Sequence, residues 1–375
     1  MRLYIRNIEK FILQYLLLPL CYEIFRFRKI DDKVVIFADA KHNDIPYSLR
    51  SMYDEVSKRN YKVLNYCFDY SNMSVWKKLY VSMKFMALYA KAKYVFLCDY
   101  YLPTASCNKK RETKVVQLWH ASGLQKKFGF DAIDDLGNYC YINPVKNYDL
   151  VSVSADIMKL VISHNWRLPL AKIQALGCSR TDIFFTTMYV QNCRDKFYSK
   201  YPEARGKNII LWAPSFRGNG GEPYLNLVEN VINIKKQLSK NIFFIIKLHP
   251  NLQEKYEVDN CELPTEELYP VVDILITDYS SVLYDYMLFG SNVIFYVPDY
   301  NSYILNRGMY IDYSSEFEYP IVRNEKELLR AIYDYKPIEK SKIRSYRNKF
   351  IKMNDGKSSD RIITYLENLS NLKQS

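Results

Sequence analysis

Two histidines stand where apolar, strand-like runs give way to loops. His120 closes Lys114-Val115-Val116-Gln117-Leu118-Trp119, and His249 closes Asn241-Ile242-Phe243-Phe244-Ile245-Ile246-Lys247-Leu248, while only His42 and His164 occur elsewhere. Imidazole has an unperturbed pKa of about 6.5, which suits it to moving a proton near neutrality. In open α/β sheets ligands gather outside the carboxyl ends of the strands, so a polar residue closing such a run is a candidate site residue. A lone histidine there also reads as an ordinary surface residue; the neighbours decide.

Those neighbours are polar and basic. The run Asp273-Ile274-Leu275-Ile276-Thr277-Asp278-Tyr279-Ser280-Ser281-Val282-Leu283-Tyr284-Asp285 reads as a buried strand ending at Thr277, with Asp278 or Ser280 opening a helix. The free N–H groups and positive dipole end of such a helix attract a phosphate or diphosphate, and the hydroxyls of Ser280 and Ser281 would assist. Plain N-capping explains the same residues without a ligand. Ala213-Pro214-Ser215-Phe216-Arg217 follows another strand-like run and puts a guanidinium where it could hold phosphate oxygens; Lys247 stands two residues before His249. Gly177-Cys178-Ser179-Arg180-Thr181-Asp182 leaves a further strand, and it too reads as a simple turn with an exposed arginine. The sequence has neither GxxxxGK[ST] nor GxGxxG, and no carboxylate pair at metal-ligand spacing.

Positioning these residues requires strands in two sets. At 375 residues the chain exceeds the size, roughly 250 to 300 residues, at which single cores stop growing. Short β-rich runs begin at Val34, Lys62, Tyr94, Val115, Leu150 and Ile173, separated by helix-like segments. After the polar passage Tyr201-Pro202-Glu203-Ala204-Arg205-Gly206-Lys207 a fresh series starts at Ile209, Phe243, Ile274 and Val293. Repeated βα alternation predicts parallel sheets covered on both faces, here two Rossmann-like α/β domains over residues 31–190 and 191–375, with a ligand cleft between them.

Composition narrows the partners. Lys and Arg exceed Asp and Glu by 53 to 41, a net +12, which favours an anionic partner: nucleic acid, acidic lipid or a phosphorylated substrate. Eight scattered cysteines argue against a zinc site or a secreted disulfide framework and for a reducing compartment. Residues Phe11 to Tyr22 are nearly all apolar, too few for the ~20 needed to span a bilayer. Arg2, Arg6, Lys10, Arg26, Arg28 and Lys29 flank them, so residues 1–30 read as an amphipathic, membrane-associating segment lying at the interface; a helix packed on its own domain is the competing reading. Trp76, Leu79, Tyr80, Met83 and Met86, interleaved with Lys77, Lys78 and Lys84, form a second basic amphipathic helix with the same two readings.

In order and spacing, several of these segments resemble one family. Trp119-His120, Leu176-Gly177 through Arg180-Thr181-Asp182, Ala213-Pro214 through Arg217, Lys247-Leu248-His249-Pro250 and Thr277-Asp278-Tyr279-Ser280-Ser281 look like the CDP-glycerol glycerophosphotransferases of teichoic acid and capsule synthesis. Val293-Ile294-Phe295-Tyr296, Arg307-Gly308 and Pro320-Ile321-Val322 extend the likeness across roughly residues 34 to 335.

The resemblance implies a GT-B-like enzyme, with an acceptor domain followed by a CDP-alditol donor domain. It would transfer glycerol phosphate, or a related alditol phosphate, from a CDP-alditol to a hydroxyl of a polyprenyl-diphosphate-linked saccharide or polymer, releasing CMP. His120 would be the general base, and His249 would bind the donor diphosphate or protonate CMP. Arg217, Lys247, Thr277, Asp278, Ser280 and Ser281 would line the donor site, with Asp285 receiving ribose hydroxyls; Lys126, Lys127 and Arg180 would meet the acceptor. Phosphoryl transfer needs in-line positioning and neutralised oxygens, which fixed cations and amides supply, so no cofactor or metal is required by the sequence. The implied place is the cytoplasmic face of the cell membrane, held peripherally on anionic lipid. Two departures stand out: Ala121 replaces a glycine common in the family, and Ser179 a proline. A GT-B glycosyltransferase using a nucleotide sugar is the alternative; a basic, non-catalytic membrane or nucleic-acid binder ranks last, with no nucleic-acid recognition module visible. Glycerol against ribitol, one unit against many, the acceptor, the oligomeric state and which histidine is the base stay open.

Overall fold

The computed structural model describes residue 8 and residues 11–132, 143–218 and 222–371. Arg2, Arg6 and Lys10 of the expected membrane segment, and Cys140, lie outside the described residues. The seven described cysteines are free and buried.

The chain forms two compact units. The first comprises 1–120, 136–183 and 353–375, the second 121–135 and 184–352. In the first, β1 (Asp31–Asp39), β2 (Lys62–Cys67), β3 (Ala92–Leu97), β4 (Lys114–Gln117), β5 (Tyr148–Ser152) and β6 (Ile173–Gln174) pair in the order β2-β1-β3-β4-β5-β6. Every pair is parallel. Val34 through Asp39 are buried without alternation, as expected for a strand covered on both faces.

The second unit repeats the plan with β7 (Asn208–Trp212), β8 (Ile242–Ile246), β9 (Ile274–Thr277), β10 (Val293–Tyr296) and β11 (Ile321–Val322), paired in parallel in the order β11-β10-β9-β7-β8. Its core joins Ile210, Trp212, Ile246, Ile276 and Ile294 to Val231 and Ile234 of one covering helix and Leu328 and Ile332 of another.

The expected contiguous boundary at 190/191 gives way to an interleaved one. The helix Ser358–Asn371 returns to the first unit, where Ile362, Ile363 and Leu366 pack among Val35, Phe37, Leu49 and Val116. Arg59 fixes that return by pairing with Asp360 and Glu367 at 2.5 and 2.6 Å. Residues 121–135 cross the other way, for reasons that lie in the site.

At the amino terminus a π-helical turn, Leu13–Leu17, runs into the helix Leu18–Phe25, and Pro19, which lacks an N–H, stands at the change of register. Leu18, Cys21 and Tyr22 are buried, with Tyr22 packed on Tyr89 of the helix Val75–Tyr89. Leu16, Leu20, Ile24 and Phe27 remain exposed, as do Val75, Trp76, Tyr80 and Met83 of the neighbouring helix. One stripe therefore packs on the unit and another faces outward. Among the described residues no helix is long and apolar enough to cross a membrane.

Candidate active site

In the first unit the carboxyl ends of three adjacent strands bring titratable side chains together. Asp39 ends β1, Cys98-Asp99 follow β3, and His120 follows β4. The turn that aims His120 runs through Trp119, whose φ of 57° is left-handed although the residue is large and not glycine. Such a conformation persists only where the surroundings over-determine it, and it clusters at functional sites. Here Gln117 Oε1 accepts from the Trp119 N–H at 2.9 Å, and the indole packs edge-on against Trp166 and Tyr100. Ala121 does not carry the positive φ, so the family glycine's absence costs no strain at that position.

His120 Nδ1 lies 3.1 Å from the Cys98 carbonyl. A carbonyl only accepts, so Nδ1 carries the proton and Nε2 presents a lone pair: the imidazole is oriented as a base. The ring reaches solvent but is crowded by protein, and desolvation holds its pKa below the ordinary imidazole value; the Asp99 carboxylate and the Cys98 carbonyl pull upward, while Lys41 and Arg180 push down. Lys41 Nζ is salt-bridged to Asp99, and Asp39 gathers the Lys41 N–H, the His42 N–H and His42 Nδ1 at 2.7 to 2.8 Å. Arg180 donates to the His120 carbonyl and stacks 4.9 Å over Tyr47, so Ser179 in place of proline still delivers the arginine to the histidine. Lys41 and Asp99 did not emerge from the sequence, because each is a single charged residue just past an ordinary strand.

A base works in its neutral form, so with His120 in that role the acid limb of kcat/KM falls as pH drops through its pKa. Asp99→Asn removes the main upward pull and leaves Lys41 unpaired, which moves that limb to lower pH. A pH profile of the variant measures it; a limb that stays in place or moves up contradicts the tuning.

In the second unit, Phe216 follows β7 and His249 follows β8, the neighbouring strand. The exposed His249 ring meets Phe216 edge-on at 4.9 Å, and Lys126 Nζ lies 4.7 Å from the same ring centre. Lys126, Phe216, Asn226, Ser302 and Arg307 contribute to the walls of a cavity of about 450 Å³ at this edge. That lies within the range of small-molecule sites, about 300 to 1,000 Å³.

A model of the family described as CDP-Glycerol:Poly(glycerophosphate) glycerophosphotransferase matches residues 20–368. The chain belongs to this family. It is 29% identical over 353 residues to the teichoic acid ribitol-phosphate primase of Bacillus spizizenii W23, covering 89% of this chain and 90% of that one. It is 27% identical to the teichoic acid glycerol-phosphate primase of Bacillus subtilis 168, covering 76% of each. Among solved structures, the wall teichoic acid polymerase TagF superposes with a TM-score of 0.74 at 17% identity, covering 100% of this chain and 98% of that one. A Methanocaldococcus jannaschii UDP-GlcNAc 2-epimerase follows with a TM-score of 0.53 at 13% identity, covering 88% and 99%. The fold is two-domain α/β and GT-B-like, and the chain is a transferase of teichoic acid synthesis.

Within this glycerophosphotransferase framework several expected site residues also brace the loops, and Arg217, Asp299 and Tyr303 stand in the wall of the same cavity. Arg217 is buried and spends its guanidinium on two carboxylates: Nη1 lies 2.7 Å from Asp278, while Nε and Nη2 lie 2.5 and 3.0 Å from Asp299. Tyr279 and Tyr303 flank it at 4.9 and 5.1 Å. Burial opposes its charge, yet Asp278 and Asp299 outweigh that and raise its pKa. Asp278 caps no helix; its Oδ1 accepts from the Ser215 and Tyr279 N–H groups at 2.7 and 2.6 Å, tying the β7 and β9 loops together. Thr277 Oγ1 donates to the Ala213 carbonyl at 2.8 Å. Lys247 Nζ donates to the Cys261 carbonyl at 2.6 Å, and desolvation lowers its pKa. Asp285 is buried and accepts from Ser122. Ser280 and Ser281 stay half-buried at the start of a helix of one turn, Val282–Tyr286.

Lys126 and Lys127 belong to the second unit, not to the acceptor domain where the sequence placed them. Backbone pairing makes the transfer: Lys127 N–H donates to Gly308 O at 3.0 Å and Tyr310 N–H to Gln125 O at 2.8 Å. Gly123 completes it, because a Cβ there would sit 2.4 Å from the Tyr284 ring. Arg307, read only as part of the family likeness, holds the Lys127 carbonyl at 2.8 Å beside the cavity.

Proposed function

We propose that the chain transfers glycerol phosphate, or a related alditol phosphate, from a CDP-alditol to a hydroxyl of a lipid-linked teichoic acid or capsule acceptor, releasing CMP. The acceptor oxygen attacks the phosphorus that carries the alditol. The bond from that phosphorus to the bridging oxygen of CMP breaks, and the hydroxyl proton passes to His120 Nε2. His249, Lys126, Arg307 and the Ser280 and Ser281 hydroxyls attend the donor's diphosphate, with the charge on the leaving CMP met by fixed cations. Lys127 and Arg180 serve the acceptor, Arg180 through its hold on the His120 carbonyl. The observation that carries this reading is the His120 tautomer fixed by the Cys98 carbonyl in a chain of this family.

The exposed apolar stripe on the helices Leu18–Phe25 and Val75–Tyr89, with Arg26, Arg28 and Lys29 beside it, supports peripheral attachment to the anionic cytoplasmic face of the membrane, where a lipid-linked acceptor resides.

The test is incubation with CDP-glycerol, CDP-ribitol and nucleotide-sugar donors and a short lipid-linked acceptor, followed by mass spectrometry. Mass gain by one alditol phosphate or a ladder of them, with CMP in equal amount, is expected. Release of a nucleoside diphosphate from a sugar donor instead makes the chain a glycosyltransferase.

A further inference from the structure

At the opposite, amino-terminal edge of the first unit's sheet, the starts of β4, β5 and β6 surround a second cavity of about 390 Å³. Its walls carry Lys109, Arg111, Lys114, Lys146 and Lys172 against one carboxylate, Asp149. That carboxylate is already engaged, by Lys109 Nζ at 2.9 Å and by the Val115 N–H at 2.8 Å. Lys146 and Lys172 donate to neutral oxygens, Asn108 Oδ1 at 3.0 Å and Tyr148 O at 2.7 Å, which aim each ammonium without neutralising it. Cations converging on a recess in this way call for phosphate oxygens.

The cavity also has a neighbour. Lys110, next to Lys109, donates its N–H to Tyr22 Oη at 3.1 Å and its ammonium to the Ala90 carbonyl at 2.9 Å and to the Arg28 carbonyl, so this loop is laced to the end of the apolar-faced N-terminal helix. Exposed Ile24 lies in the last turn of that helix and exposed Phe27 just beyond its end. We propose that Arg111, Lys114, Lys146 and Lys172 form a site for the headgroup phosphate of an anionic phospholipid, engaged while the adjoining apolar stripe enters the interface. The site rests on the reading that this chain works at a membrane. It adds that these four cations, converging on one recess, take part in selecting anionic lipid.

The experiment compares binding of the full chain and of Arg111→Gln/Lys114→Gln/Lys146→Gln to phosphatidylcholine vesicles with and without phosphatidylglycerol. Each basic residue near an anionic surface contributes roughly a fivefold factor, so the triple variant should lose on the order of 100-fold on anionic vesicles. Its weaker binding to neutral vesicles, and its turnover on a soluble acceptor, should match the unaltered chain. Lys146→Gln alone, expected to lose about fivefold, keeps the test valid should the triple variant fold poorly. Equal binding of unaltered and altered chains to anionic vesicles overturns the pocket and leaves membrane attachment standing. Failure of the unaltered chain to bind either vesicle overturns both. Saturable binding of inorganic phosphate or a soluble poly(alditol phosphate), lost in the triple variant, with no preference for anionic vesicles, assigns the cavity to a free phosphate and overturns the lipid site.

Discussion

Replacing His120 with asparagine lowers turnover by about 10²- to 10⁴-fold, the usual contribution of a general base, and leaves the fold in place. The ring lies at the surface-accessible end of β4 and, among the described residues, is held by the hydrogen bond of Nδ1 to the Cys98 carbonyl. Losing such a bond costs about 0.5 to 1.5 kcal/mol, too little to unfold a domain. The base acts on a proton that moves as the acceptor oxygen attacks, so the loss falls on kcat and on kcat/KM alike, while the KM for the CDP-alditol stays near its original value. The residual activity also loses the acid limb of its pH profile. A thermal melt unchanged beside a collapse in kcat is the expected pair of observations; a loss under tenfold, or one confined to KM, removes His120 from the role of base.

The second large effect is on stability. Arg217→Ala leaves the buried Asp278 without its cation and Asp299 unpaired at the cavity wall, and breaking one side of a buried ion pair such as Arg217–Asp278 costs about 3 to 5 kcal/mol. Because Asp278 also anchors the Ser215 and Tyr279 amides, the β7 and β9 loops should loosen together. Urea unfolding should therefore show a lower midpoint for the second unit, and Arg217→Lys should rescue only part, since an ammonium cannot span both carboxylates as the guanidinium does. A stable Arg217→Ala variant with a raised KM for the donor would return Arg217 to the role the sequence suggested, a direct phosphate ligand.

These two residues mark what the sequence made legible. Strand ends could be read from apolar runs, and all ten expected strands exist; only β11, two residues long, gave no run of its own. His120 and His249 were visible because each closes such a run. Arg217 is visible for the same reason, but its pairing with Asp299 is not, because that carboxylate lies 82 residues away in sequence and no local pattern announces it. Lys41 and Asp99 share that difficulty: their pairing spans 58 residues and becomes apparent only once β1 and β3 lie side by side. Lys126 follows His120 closely in sequence, and on that alone it shares the histidine's domain. Only the pairing of Gln125 and Lys127 with the 308–310 segment carries it to the second unit. The return of Ser358–Asn371 to the first unit was equally silent, since an amphipathic stripe specifies a partner's polarity but not its address.

The central claim, alditol phosphate transfer with His120 as base, is tested most directly by a single-turnover reaction. Excess enzyme, CDP-glycerol or CDP-ribitol and a lipid-linked acceptor are mixed, quenched at intervals and resolved for CMP and extended acceptor, with the His120→Asn chain run in parallel. The account predicts CMP and a phosphodiester-extended acceptor appearing at one rate with the native chain, and both slowed together by at least about a hundredfold in the variant. CMP release without acceptor extension, or equal rates in the two chains, would contradict it.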